Sequence, residues 1–432
     1  MQILPSSLPS PELKLPAVKL PFKLGRRSAQ NLVGLDIQPG FVAAVQARVN
    51  GSIVAERAAT APLPADSMRD GEVVDENALG EALRELFAGS GLSKRVRIGV
   101  ANQRTVLRTL ELPPVTDPKE LAAAVNFQAQ DQVPMPLNNA VMDFHPLGII
   151  DTPAGPRQRV VLVAAQRDMV ERLVKAVRLA GLNPEGVDLS AFALIRSLYR
   201  HDPEQTGRVL YLNVDGLTNL AIAEGTVCRF TRVVGSGLEG MASELAERRS
   251  IALTEARALI AGIDLTAPAP SAAEAPMVEE AAEGGESFVE GATEEQTEHE
   301  GEPRSVEEAE QSEREMSYEE LAAIESAPAP AVVAQSDGDL WAVVENGIRD
   351  ISGEVRNSLD FHRSQDGGGE VSHVVMSGCA QDIPGFAQAL QASLGVEVRC
   401  HDVGVADAGL ADGVSLHRLA VATGLAAGEA PE

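Results

Sequence analysis

Residues 31–58 read NLVGLDIQPGFVAAVQARVNGSIVAERA. An apolar run, Leu32–Ile37, carries a single acid, Asp36, and stops at Gln38-Pro39-Gly40. Phe41–Val49 follows, then Asn50-Gly51, a strong two-residue hairpin signal, then Ser52–Ala58. The reading is a three-stranded meander. The same grammar returns in VLYLNVDGLTNLAIAEGTVCRFTRVV, residues 209–234. There Asn213 stands where the first copy has Asp36, Asp215-Gly216 turns the chain, Thr218–Ala223 follows, and Glu224-Gly225 leads into Thr226–Val234. Two copies of one meander, each followed by helices, predict two related lobes.

The segment between the copies reads as mixed α/β. Helices are expected at Glu76–Phe87, at Arg167–Ala180 stopped by Gly181, and at Ser190–Arg200. A further helix opens on Asp117 as cap, with Pro118 in the first turn and Glu120 completing a capping-box pattern. Strands are expected at Val96–Ala101, Thr105–Leu112, Val141–Leu147 and Val160–Ala165. Beyond the second copy come helices at Leu238–Arg249, Thr254–Ala261, Asp339–Arg363 and from Phe386 to about Leu394. Strands follow at Val371–Met376 and Val396–Cys400, and Val414–Leu425 is the closing helix.

The formal charge is −27, but it is unevenly spread: Ser271–Pro330 holds nineteen Glu against Arg304 and Arg314 alone. From about 266 to 336 the chain is Glu, Ala, Ser and Pro, too poor in large apolar residues to offset its chain entropy, so a disordered insertion is expected, with a short helix around Tyr318–Ile324. Residues 1–30 are Pro- and Lys-rich and are expected to form a disordered basic tail. Only 3% of residues are aromatic, which with the net acidity argues against nucleic-acid binding. Three scattered cysteines and seven scattered histidines show no metal-ligand spacing, and no apolar run reaches the length of a membrane span. A cytoplasmic protein is the expectation.

An acid at the end of a strand before a glycine turn has a chemical use. Turn amides cradle phosphates, and the acid holds a hydrated Mg2+. Two such hairpins facing each other would clamp a nucleotide. Gly235-Ser236-Gly237-Leu238-Glu239-Gly240 matches GxGxxG but lacks the βαβ setting of a dinucleotide site, and reads as the glycine turn feeding the next helix. Ser377-Gly378-Cys379 is a third turn.

The middle of the chain carries the most specific signal. Arg108-Thr109-Leu110-Glu111-Leu112-Pro113-Pro114 is followed by Phe127-Gln128-Ala129-Gln130, Val133-Pro134-Met135-Pro136-Leu137 and Met142-Asp143-Phe144. With the hairpin loops, this resembles the PilM family of actin-like type IV pilus assembly proteins. The resemblance implies a two-lobed actin-like (ribonuclease H-like) α/β fold with a small inserted α/β subdomain at about 96–165. The first lobe would span 31–205 and the second 206–265 and 337–427, with a tail at 428–432. It implies an ATP and Mg2+ cleft at Asp36, Gln38, Pro39, Gly40, Asn213, Asp215, Gly216, Leu217, Thr218, Gly235, Gly237, Ser377, Gly378 and Cys379, with Asp36 toward the metal. It also implies a partner, the N-terminal tail of a PilN-like membrane protein, with Phe127, Val133 and Phe144 as candidate contacts. The pilus assembly ATPase is a second partner.

The cleft loops depart from the family. Gln38-Pro39 replaces Gly-Ser, and proline has no amide to offer a phosphate. Asn213 and Asn219 replace acids, and Cys379 replaces glycine. No catalytic residue is assigned. The expectation is an adaptor peripheral to the inner membrane, with an active ATPase or a secretion-platform component as alternatives.

Overall fold

Two sheets repeat one topology. In the computed structural model, which describes residues 32–201, 207–268, 337–365, 368–410 and 414–428, the first meander is β1 (Val33–Gln38), β2 (Phe41–Val49) and β3 (Ile53–Pro62), paired antiparallel. After a short hairpin of β4 (Met68–Arg69) and β5 (Glu72–Val73), the sheet continues beyond β1 in parallel with β6 (Arg95–Val100) and β10 (Asn183–Leu189). The second meander is β11 (Arg208–Val214), β12 (Thr218–Glu224) and β13 (Val227–Val234), extended in parallel by β14 (Val371–Ser377) and β15 (Val398–Cys400). Both run meander strand three, two, one, then two parallel strands. The first sheet gains one more edge, β16 (Gly404–Val405), parallel to β3. This is the actin-like architecture. The basic tail, the acidic stretch from Ala269 with the short helix expected in it, and the last four residues lie outside the described residues.

Alternation along the strands decides what each lobe buries. Val33, Leu35 and Ile37 of β1 face a core beneath α1 (Glu76–Phe87) and α3 (Arg167–Leu179). Leu210, Leu212 and Val214 of β11 face another, built with α5 (Leu238–Arg249), α6 (Leu253–Ala261), α7 (Asp337–Ser364) and α8 (Phe386–Leu394). The opposite faces meet each other: Phe41, Ala43 and Val45 from the first sheet and Tyr211, Ala221 and Val375 from the second share one buried cluster with α4 (Ser190–Leu198) and α9 (Ala420–Ala427). A strand's period of two thus gives each sheet a private core and a shared one.

A third, smaller sheet is ordered β7-β9-β8, from β7 (Thr105–Leu112), β8 (Ala140–Thr152) and β9 (Gly155–Gln166). It packs on α2 (Pro118–Gln132) through Leu110, Leu121, Val125 and Leu162. Asp117 caps α2 as expected, its carboxylate accepting from the amides of Lys119 and Glu120. β6, expected within the inserted subdomain, lies instead in the six-stranded sheet beside β1. β8 and β9 reach well past their apolar runs because their outer halves form a two-stranded ribbon with exposed residues such as Ile149. β10 was not expected, since Asn183-Pro184-Glu185-Gly186 masks it. The closing helix starts later than its apolar pattern: Leu416–Leu419 is a 3-10 turn, and only Ala420–Ala427 is α-helical.

α9 is made of small residues because it has no room. A Cβ on Gly424 would lie 1.9 Å from the carbonyl oxygen of Ala193 in α4, and one on Gly34 of β1 would lie 1.8 Å from that of Ala422. Both neighbours are backbone and cannot swing aside. Gly34→Ala should therefore cost about 3 kcal/mol of stability, the upper range for overpacking a filled core. Gly353→Ala, in α7 with open space around it, should gain about 0.5–1 kcal/mol from helix propensity. Urea unfolding of the two variants checks the contrast, and equal effects would overturn it.

Candidate functional site at the hairpin loops

The first loop is the two-residue turn Pro39-Gly40 between the paired Gln38 and Phe41, with Gly40 at φ 82°. Asp36 and Gln38 share the inward face of β1, and both are buried. The Gln38 amide donates to Asp36 Oδ1 at 3.0 Å. The Gln38 side chain therefore occupies the acid it stands beside.

The second loop, Asp215-Gly216-Leu217, joins Val214 to Thr218. Asp215 is buried and doubly held: Asn213 donates to Oδ2 at 2.6 Å, and the Cys379 backbone amide donates to Oδ1 at 2.5 Å. The first amides of α5, which a phosphate would seek, are also taken: Leu238 N–H donates to the Asp215 carbonyl at 2.8 Å, and Glu239 N–H to that of Gly216 at 3.3 Å. Gly235 and Gly237 lead into α5, and a Cβ on Gly237 would lie 2.4 Å from the Gly216 carbonyl. Thr218 spends its hydroxyl on the Ser236 carbonyl, 2.5 Å away. Leu217 reaches across to Gly71 of the first lobe.

The third turn is Ser377-Gly378-Cys379. Gly378, at φ 97°, gives its amide to the His417 carbonyl at 3.3 Å, and Ser377 Oγ donates to the same oxygen at 2.7 Å. Burial pushes the Cys379 thiol well up, and the neighbouring Asp215 carboxylate adds to it, so the sulfur stays protonated.

All fourteen cleft candidates thus converge, but the loops meet each other. A Cβ on Gly216 would lie 2.4 Å from the Pro39 carbonyl oxygen and 3.1 Å from its Cβ. Arg257 of α6 closes the flank: it pairs with Glu239 at 2.5 Å, donates to the Leu63 carbonyl at 3.3 Å, and lies against Gly40. A nucleotide held between the two hairpins needs free amides and a gap for its phosphates. In this conformation the amides of Leu238, Glu239, Gly378 and Cys379 are spent internally and Pro39 fills the gap at Gly216, so the residues present do not fit the group.

Residues outside the motifs complete the site. His417 and Arg418 stand on the 3-10 turn before α9, and both bond Asp382, which follows the third turn; His417 Nε2 lies 2.6 Å from Oδ1. The Arg418 guanidinium lies over the Phe41 ring of β2, 5.5 Å from its centroid. Burial works against ionisation of Asp382, but the His417 bond and the Arg418 charge hold its carboxyl down to about 2. A charged His-Arg pair inside an otherwise apolar closing segment was the available sequence signal. Ser190 Oγ, Thr423 Oγ1 and both amide atoms of Asn219 are buried with no hydrogen-bond partner, the kind of groups that ordered water satisfies.

The partner candidates separate. Val133 is buried within the subdomain core and Phe144 packs against that core. Phe127 points outward from α2, 72% exposed.

Burial, with the Asp215 carboxylate adding to it, pushes the Asp36 carboxyl up from 3.8 to about 7, against the Gln38 bond. The unfolded chain ionises first, so the stability Asp36 contributes is full below about pH 4 and is lost as pH rises toward about 7. Asp36→Asn keeps the acceptor for Gln38 and removes the charge. Its stability relative to wild type should rise across that window; urea midpoints at pH 4.5 and 7.5 check this, and a constant difference would refute it.

The comparisons agree with this architecture. The type IV pilus assembly protein PilM family matches residues 34–231. A solved PilM-PilN type IV pilus biogenesis complex is 20% identical, covers 92% of this chain and 98% of its own, and superposes at a TM-score of 0.61. The ethanolamine utilization protein EutJ from Carboxydothermus hydrogenoformans is 13% identical, covers 91% and 88%, and scores 0.43. MreB 5 of Spiroplasma citri, bound to AMPPNP, is 11% identical, covers 91% and 94%, and scores 0.43. With the doubled sheet topology, the chain shares the actin-like fold of the PilM-PilN complex, and its residues 34–231 resemble the type IV pilus assembly protein PilM family.

Proposed function

We propose that the protein is an adaptor of type IV pilus assembly, one that takes the N-terminal tail of a PilN-like inner-membrane protein on its small β7-β9-β8 subdomain. The observation that carries this is Phe127. It is a large apolar side chain, 72% exposed on α2. Its subdomain lies wholly within the stretch that matches the family. Solvent-exposed aromatics of this kind are favoured anchors for a partner. The solved neighbour is itself a complex of PilM with PilN. No helix among the described residues is long and apolar enough to cross a membrane, so such a tail would be the tether to the inner membrane. Contact with the pilus assembly ATPase follows as the adaptor's second role.

Hydrolysis is not part of this reading. The cleft's two buried acids, Asp36 and Asp215, are each held by an amide side chain, and Pro39 rests on Gly216. Both carboxylates are engaged rather than free to position water, and the amides of Leu238, Glu239, Gly378 and Cys379 are spent on protein oxygens.

Capture of a synthetic PilN-like tail by the full chain tests the proposal. Phe127→Asp should weaken capture at least tenfold, about 1.4 kcal/mol, and leave the melting temperature unchanged, because the side chain is outside every core. Capture unaffected by the substitution would overturn the assigned surface. Phosphate release above background, abolished by Asp36→Ala, would overturn the non-hydrolytic reading.

A further inference from the structure

We infer that residues 415–419 form a latch on the interlobe cleft, in which the Arg418 guanidinium stands where the three hairpin turns converge and must be displaced before an anionic ligand enters. The inference rests on the reading of the cleft as self-closed. It is independent of where a partner tail docks.

The path of the chain places the latch. After β15, the last strand of the second sheet, the chain crosses to pair β16 with β3 of the first. It then passes back to the third turn at Ser415–Leu419 before α9 packs under β1. The described residues at this second crossing bind both lobes. On one side, the His417 carbonyl accepts from Gly378 N–H and Ser377 Oγ, and Asp382 takes His417 and Arg418. On the other, the Arg418 guanidinium covers Phe41, the first residue after the Pro39-Gly40 turn. Arg418 thus spans from Asp382 beside the third turn to Phe41 beside the first, and the Asp215 carboxylate of the second turn favours its charge.

A partly buried guanidinium between Asp382, Asp215 and an aromatic face is itself the positive charge of the cleft. A phosphate-bearing ligand needs that charge and the Cys379 amide, both of which serve internal carboxylates. Binding would therefore exchange one set of anions for another, and it would separate Arg418 from Phe41, the contact that ties the latch to the first lobe. Burial opposes a charged His417, but Asp382 and Asp402 outweigh it and raise its pKa, so the latch is tightest while His417 is protonated. The charged groups facing His417 are Asp382, Asp402 and, through Asp382, Arg418.

Two full-length variants test the latch, Arg418→Gln and Asp382→Asn, the second of which keeps the cation and frees it. Hydrogen exchange is followed at the Gly378 and Cys379 amides, and Mg-ATP is the ligand probe in calorimetry. The expected result is exchange at least tenfold faster at those two amides in both variants, and Mg-ATP affinity at least tenfold higher in Asp382→Asn than in wild type. If Arg418→Gln does not fold, Asp382→Asn alone decides. Unchanged exchange in a folded variant would overturn the latch, as would Mg-ATP binding to wild type and Asp382→Asn with equal affinity. Loss of tail capture in wild type would instead overturn the docking proposal and leave the latch standing.

Discussion

The structure depends on how closely α9 can approach its neighbours. Eight buried residues, none larger than leucine, run between β1 and α4. Glycine backbones provide the approach: Gly34 below the helix and Gly424 within it are each under 2 Å, at the Cβ position, from a carbonyl oxygen. A close helix–strand approach of this kind fixes distance as well as orientation, because backbone atoms cannot rotate away as side chains do. Once α9 is fixed, the turn before it is fixed too, and His417 and Arg418 are delivered to the third hairpin turn. The interlobe core, the closed loops and the salt-bridged turn follow from the same packing.

Within that frame the cleft has exchanged one kind of polar satisfaction for another. Phosphate-binding loops present unpaired amides and leave acids for metal and water. Here the amides of Leu238, Glu239, Gly378 and Cys379 all donate to protein oxygens, and Gln38 and Asn213 supply the acids with donors. Buried polar groups must be paired somewhere, and here they are paired internally. Gln38 and Asn213 act alike: each places an amide side chain beside a buried carboxylate. Asn219 breaks that pattern, since both of its amide atoms are buried without a partner.

Much of the fold was legible in the residues. Asp36 before a turn, Asn50-Gly51, and the recurrence of the pattern at Asn213 gave two meanders, because hairpin turns are local and the strand period is short. Capping by Asp117 was legible for the same reason. What escaped were elements defined by their neighbours. β10 hides behind Pro184 and Gly186 and exists because β6 offers it an edge, and β16 is two residues long and exists because β3 does. The outer halves of β8 and β9 have little apolar content and persist by pairing with each other.

The sequence by itself determined the doubled lobe, the small third sheet and the family likeness, all of which rest on local periodicity and on motifs a few residues long. It also determined that the loops carry Gln38, Pro39, Asn213 and Asn219. Only the tertiary structure decided what those side chains do. That Pro39 meets Gly216 and that Arg418 reaches Phe41 depend on contacts between segments up to 377 positions apart in the numbering. Such contacts are set by packing between lobes and leave no periodic trace in the chain.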